Sequence, residues 1–269
     1  MIEPVVDVDW VRAHRDRLVL ADVRAYLDGR SGREAYGRGH LPGAVFVDLD
    51  RDLAAPASPA AGRHPLPAPE AFAARMSELG IGDGDTVVAY DDAGGVMAAR
   101  LVWMLRALGH DAALLDGGFD AWDGELETTV PERAPARFAA RPWPADRLAT
   151  IDDAVDGANV VIDARQPERF RGETEPIDPR PGHIPGARSV SCRENVDASG
   201  RFLPAEVLRE RFAAAGVTDG AEVVSYCGSG VTACHNLLSL ERAGFAPGRL
   251  YPGSWSQYAA TGRPAATGA

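Results

Sequence analysis

The sequence predicts an α/β protein of two domains, each a mostly parallel sheet flanked by helices. Three observations predict it. Short aliphatic and β-branched runs alternate with helix-length segments, the pattern of parallel sheets built with right-handed crossovers. The landmarks of the first half recur in the same order in the second. A stretch carrying Pro131, Pro135, Pro142 and Pro144 parts the two halves, and proline makes a stiff, non-helical connector. The expected organisation is a first domain over 1–130, a linker over 131–147 and a second domain over 148–269.

In the first half, Leu18-Val19-Leu20-Ala21-Asp22 reads as a buried strand, Gly39-His40-Leu41-Pro42-Gly43-Ala44 as a turn, and Val45-Phe46-Val47 as a second strand. A Pro/Ala-rich loop runs from Ala54 to Ala68, and a helix is expected from Pro69 to Leu79 with proline in its first turn. A strand over Thr86 to Tyr90, a helix over Val96 to Leu108 and a strand over Ala112 to Leu115 follow. Gly117-Gly118-Phe119 then leads into a short helix ending near Trp122. Trp103, Trp122, Trp255 and Tyr258 are expected in the core.

The second half answers the first. Val160-Val161-Ile162-Asp163-Ala164-Arg165 repeats the strand that ends Asp22-Val23-Arg24. Gly182-His183-Ile184-Pro185-Gly186-Ala187 repeats the turn at an offset of 143 residues, and Val223 to Tyr226 repeats Val87 to Tyr90 at an offset of 136. Leu250 to Trp255 repeats Leu114 to Phe119, again at 136.

Chemistry concentrates at Tyr226-Cys227-Gly228-Ser229-Gly230-Val231-Thr232, between a strand and a helix expected over Val231 to Gly244. Cys227 stands at the carboxyl end of the strand, the edge at which open α/β sheets bind ligands. Gly228 and Gly230 let the backbone curl so that successive N–H groups form an anion nest, and the helix N-terminus adds positive potential. Both favour thiolate over thiol. Cys192 and Cys234 lack such a loop and read as small core hydrophobes. The position that matches Cys227 in the first half is Asp91, which cannot act as a sulfur nucleophile, so that half is expected to be structural and to supply an interface and one wall of a cleft.

Composition narrows the function. A net charge of −11 argues against a nucleic-acid or anionic-membrane surface, and an anionic substrate needs local positive potential. All 28 basic residues are arginine, which removes Schiff-base lysines and the P-loop lysine. Three cysteines without paired spacing make neither a disulfide framework nor a four-ligand zinc site. Met1-Ile2-Glu3-Pro4 lacks signal-peptide character, and Arg100 and Arg106 interrupt the best apolar stretch. A reduced, cytoplasmic, soluble protein is expected.

A duplicated α/β domain with a cysteine loop only in its second copy resembles the tandem-domain sulfurtransferases of the rhodanese superfamily. The resemblance spans nearly the whole chain and implies two rhodanese-like domains, the first non-catalytic and the second catalytic. Cys-Gly-Ser-Gly-Val-Thr at 227–232 is similar to the 3-mercaptopyruvate-using branch; thiosulfate-preferring relatives more often carry basic residues where this chain has Gly228 and Ser229. Protein phosphatases, a structural neighbour, follow the loop cysteine by five residues and then an arginine; here Gly228 to Thr232 lead to Ala233, so phosphatase chemistry is discounted.

The resemblance implies Cys227 as the nucleophile that carries a persulfide, with Gly228, Ser229, Gly230, Val231 and Thr232 cradling it. It implies Arg169, in Glu168-Arg169-Phe170-Arg171, as a clamp on the donor carboxylate, and Arg180 as a second arginine nearer the turn; the alternative for each is a solvated charge, and Arg171 is a substitute for Arg169. His40 has two readings. One is a serine–histidine–aspartate relay with Ser229, for which Asp28 is the nearest upstream carboxylate. The other is a turn stabiliser, because His183 holds the same place in the second copy. The implied activity moves sulfur from 3-mercaptopyruvate through Cys227 to a thiol or cyanide, with no metal or organic cofactor. Thiosulfate as donor is the alternative, as is a persulfide carrier without turnover. The implied partners are a small anionic sulfur donor and a thiol acceptor such as thioredoxin or a small thiol, with no nucleic acid and no membrane.

Overall fold

The computed structural model describes residues 1–269 and divides into two compact units, neither continuous in sequence. Unit 1 comprises Met1–Ala55, Pro67–Trp143 and Ala198–Phe202; unit 2 comprises Pro56–Leu66, Pro144–Asp197 and Leu203–Ala269. The Pro-rich stretch expected as a connector is divided, and its part up to Trp143 packs into unit 1. There Phe138 meets Phe72 edge to face at 5.7 Å, and Trp143 Nε1–H donates to the Pro67 carbonyl at 2.8 Å.

Unit 1 holds strands β1 (Val5–Val6), β2 (Leu18–Asp22), β3 (Val45–Phe46), β4 (Thr86–Tyr90) and β5 (Ala112–Leu115), in the order β1-β5-β4-β2-β3. Every pairing is parallel. Its helices are α1 (Val8–Ala13), α2 (Gly32–Arg38), α3 (Leu49–Asp52), α4 (Pro69–Glu78) and α5 (Ala98–Ala107). Unit 2 holds β6 (Val160–Asp163), β7 (Arg188–Ser189), β8 (Val223–Tyr226) and β9 (Arg249–Leu250), all parallel in the order β7-β6-β8-β9. Its helices are α6 (Pro167–Phe170), α7 (Ala205–Ala214), α8 (Ala233–Arg242) and α9 (Ser254–Tyr258). A single parallel bridge, Leu148 to Leu250, stands where unit 1 has β1.

Parallel sheets covered on both faces need unbroken apolar strands, and all five residues of β2 are buried. Burying each such aliphatic side chain is worth about 1.5–3 kcal/mol. The longer strands were therefore legible; β1, β7 and β9, at two residues each, are too short to show a period. Trp103, Trp255 and Tyr258 are buried core residues. Trp122 is not: it is half-buried at the core edge, with Nε1–H donated to the Glu125 carbonyl and Arg12 stacked on its ring. No helix is long and apolar enough to cross a membrane.

The duplication reaches single hydrogen bonds. Asp22 lies opposite Tyr90 in the β2–β4 ladder, and Asp163 opposite Tyr226 in β6–β8. Tyr90 Oη accepts from Leu41 N–H at 3.0 Å, and Tyr226 Oη from Ile184 N–H at 3.1 Å. Arg24 is gripped by Asp22 and donates to the Gly39 carbonyl at 2.7 Å, and Arg165 is gripped by Asp163 and donates to the Gly182 carbonyl at 2.7 Å. Each sheet thus presents a fixed carboxyl edge on which the loop after its central strand, Asp91 or Cys227, is mounted.

Candidate active site

Cys227 follows directly on β8 and is 2 % exposed. Its Sγ accepts the Gly230 N–H at 3.2 Å. Gly230 has φ +78°, and a Cβ there would lie 2.5 Å from the Pro252 carbonyl oxygen, so the turn admits only glycine. This turn also delays the helix: α8 begins at Ala233 rather than Val231, because residues 228–232 curl around the sulfur instead of stacking into a helical turn.

The loop is held from below by α9. Cys227 N–H donates to Ser254 Oγ at 3.1 Å, Trp255 N–H to the Cys227 carbonyl at 2.9 Å and Ser256 N–H to the Gly228 carbonyl at 2.8 Å. The free N–H groups that any helix start must satisfy are thereby used to fix the loop carbonyls. Ser254 is the one non-glycine residue with positive φ, +51°, and in the first copy that position is Gly118, at +58°.

Unit 1 shows what such a loop binds. The Asp91 carboxylate, fully buried, accepts N–H groups from Ala93, Gly95, Met97 and Ala98 at 2.7–2.9 Å. Burial pushes this carboxyl up, and the four N–H groups oppose it. The first copy therefore fills its nest with its own carboxyl group. In the second copy the corresponding N–H groups of Ser229, Val231 and Ala233 have no hydrogen-bond partner in the chain, that of Cys234 donates to the Val231 carbonyl at 3.1 Å, and Sγ takes the Gly230 N–H between them in sequence.

Segment Pro56–Leu66 contributes residues that sequence reasoning missed. It is seated on α9 by Arg63 N–H donating to Ser256 Oγ at 3.1 Å and by Gly62, whose φ of +88° and 2.6 Å clearance from the Gly253 carbonyl exclude any side chain. His64 Nδ1 then lies 2.7 Å from Ser229 Oγ. The histidine beside Ser229 is thus His64, not His40. His40 is fully buried in unit 1, stacked on Tyr36 with centroids 3.8 Å apart, and its Nδ1–H donates to the Tyr36 carbonyl at 2.9 Å. His183 does the same on Phe170, at 3.7 Å and 2.7 Å. Each Nδ1–H is committed to a carbonyl of its own copy, and Asp28 is an exposed partner of Arg30. One signal was available: Arg63 and His64 are the only ionisable residues between Ala54 and Ala68, and loops carry function.

Two guanidinium groups flank Gly228. A Cβ there would lie 2.9 Å from Arg63 Nη2 and 3.6 Å from Arg169 Nη1. Arg169 donates to Glu175 at 2.6 Å and to Asp178 at 3.3 Å, Arg63 is ion-paired with Asp178, and Arg165 donates to Glu175 at 3.1 Å. The cluster is close to neutral and its members are oriented rather than free. Burial pushes Asp178 up despite its two arginines, whereas for Glu175 the Arg169 bond and the N–H groups of Asp178 and Ile177 outweigh burial and hold it down. Arg171 points elsewhere, to the exposed Glu173. Arg180 packs over Trp255 and Tyr258 at 5.8 and 5.9 Å and donates to the Tyr258 carbonyl at 3.3 Å, so it meets the loop only through Trp255.

Cys192 is buried beside Cys227, and its thiol is pushed up to about 12 by burial first and by the charge of Cys227 second, while a hydrogen bond with Thr232 acts the other way. Cys234 donates its S–H to the Gly230 carbonyl at 3.4 Å. No cysteine is in a disulfide.

Known proteins share this layout. A rhodanese-like domain model matches residues 7–125 and again 148–261. A "Probable 3-mercaptopyruvate sulfurtransferase" of Pseudomonas aeruginosa is 45 % identical over 93 % of this chain and 93 % of its own. A "Thiosulfate/3-mercaptopyruvate sulfurtransferase 2" of Arabidopsis thaliana is 35 % identical over 96 % of this chain and 84 % of its own. The crystal structure of a 3-mercaptopyruvate sulfotransferase from Escherichia coli superposes with a TM-score of 0.84 at 33 % identity, covering 95 % of this chain and all of that one. The chain belongs to the rhodanese family, whose domain it carries twice.

Proposed function

We propose that the chain is a sulfurtransferase that takes sulfur from 3-mercaptopyruvate, holds it as a persulfide on Cys227 and passes it to a thiol or to cyanide. One observation carries this reading: the nest that Asp91 fills with a carboxylate in the first copy is open above a cysteine in the second. A terminal persulfide sulfur is an anion of suitable charge for that nest.

The Cys227 thiolate attacks the donor's thiol sulfur. The S–S bond forms as the carbon–sulfur bond breaks, its electron pair leaving as the enolate of pyruvate. The donor's thiol proton ends on the enolate carbon, so the products are pyruvate and an anionic persulfide. N–H groups of residues 229–233 stabilise the persulfide and the charge that precedes it. Arg169 and Arg63 are the carboxylate-binding pair, positioned by Glu175 and Asp178. His64 Nδ1–H donating to Ser229 Oγ leaves the serine proton aimed at the substrate carbonyl, where it meets the developing enolate oxygen. The acceptor then attacks the outer sulfur and restores the Cys227 thiolate. A thiol such as thioredoxin or a small thiol is the acceptor in this reading, and three free cysteines fit a reducing, cytoplasmic location.

Purified wild type and Cys227→Ser, given 3-mercaptopyruvate or thiosulfate with a thiol acceptor, test this. Pyruvate released over many turnovers by wild type, lost in the variant and faster than sulfite from thiosulfate, is the expected result. Faster sulfite release would overturn the donor. A single stoichiometric burst would make the protein a persulfide carrier.

A further inference from the structure

Unit 1 contains a cavity of about 260 Å³ at the carboxyl edge of its own sheet. Arg24, Tyr26, Arg30, Arg38, Asp92 and Phe119 are among its walls. Nothing in the proposed transfer uses it.

The two copies explain what it is built to hold. Arg24 and Arg165 are the same residue in the repeat: each spends Nε and Nη2 on the strand aspartate and the turn carbonyl, and each lies on the ring of Phe119 or Trp255, at 4.3 and 4.9 Å. They differ at Nη1. Arg165 Nη1 donates to the Glu175 carboxylate at 3.1 Å, whereas Arg24 Nη1 has no partner, although Arg24 is only 5 % exposed and lines the cavity. No carboxylate of unit 1 takes the place of Glu175. Asp28 pairs with Arg30, and Asp92 accepts the Tyr26 hydroxyl at 2.5 Å. Arg38, exposed and without an ion-pair partner, adds a second donor at the rim.

We propose that this cavity binds a small organic carboxylate. Its carboxylate takes from Arg24 Nη1 the bond that Glu175 takes from Arg165, with Arg38 as the second donor, and its body lies against Phe119 and Leu126. The site is independent of sulfur transfer, since it sits in the copy without a cysteine.

The test is calorimetric titration of the full chain carrying Arg169→Met, which removes a carboxylate clamp of unit 2, with sodium pyruvate, sodium benzoate and sodium sulfate. One of the two carboxylates should bind, and sulfate should not compete. Adding Arg24→Met or Leu126→Trp should weaken binding tenfold or more. Leu126 is 47 % exposed, so its substitution fills the cavity mouth without disturbing the core, and on its own it should leave pyruvate release from 3-mercaptopyruvate unchanged. Failure of both carboxylates to bind, binding unmoved by Leu126→Trp, or equal competition by sulfate would each overturn the proposal. The transfer reaction is read separately by pyruvate release, so the two fail independently.

Discussion

Ser254 offers a test in which backbone strain and a hydrogen bond are separable. Its φ of +51° puts a side chain where the first copy has Gly118, and its Oγ accepts the Cys227 N–H at 3.1 Å and donates to the Tyr251 carbonyl at 2.9 Å. Left-handed backbone costs a non-glycine residue about 1–2 kcal/mol, and each hydrogen bond returns about 0.5–1.5 kcal/mol. Ser254→Ala keeps the strain and loses both bonds, a loss of about 2 kcal/mol. Ser254→Gly loses the same bonds, relieves the strain and adds about 0.5–1 kcal/mol of glycine chain entropy, so it should be the more stable variant by roughly 0.5–1 kcal/mol. Urea unfolding of the two variants beside wild type measures the difference. Both should release pyruvate more slowly, because both free the Cys227 amide from its anchor. A glycine variant equal to or weaker than the alanine variant would show that Ser254 stores no strain.

Three further outcomes are expected. His64→Ala should lower the rate of pyruvate release about tenfold, the worth of the one hydrogen bond that aims the Ser229 proton, while His40→Ala should lower the melting temperature and keep turnover; the reverse pattern would restore His40 to the site. Cys192 should escape alkylation by iodoacetamide at pH 8 in the folded protein, since burial pushes its thiol up to about 12, and a labelled Cys192 peptide by mass spectrometry would contradict its core role. Asp153 is held down to about 2 by the Thr150 N–H and hydroxyl and then by Arg249. A depressed carboxyl stabilises the fold above its unfolded value and loses that contribution as pH falls through the folded one, so wild type should lose stability between about pH 4 and pH 2 more steeply than Asp153→Asn. Parallel acid-unfolding curves for the two would refute that.

Strand identity, the duplication and the cysteine loop lay in the amino-acid sequence itself. Val223–Tyr226 and Val87–Tyr90 are continuous buried runs, and Cys227 with Gly228 and Gly230 is a local pattern whose turn follows from the freedom of Gly230 at positive φ. The histidine partner of Ser229 could not be read in that way. His40 and His183 repeat in the sequence, and each commits its Nδ1–H to a carbonyl of its own copy, whereas the histidine beside Ser229 has no counterpart in the repeat. His64 and Arg63 reach the loop across more than 160 residues of chain, placed by hydrogen bonds to α9 and by a glycine with no room for a side chain. The open Nη1 of Arg24 is likewise a property of packing, visible only against Arg165 and its Glu175. Local conformation is set by neighbours in sequence, which the chain displays. Pairing between distant side chains is set by where the folded backbone brings them, and that only the tertiary structure decides.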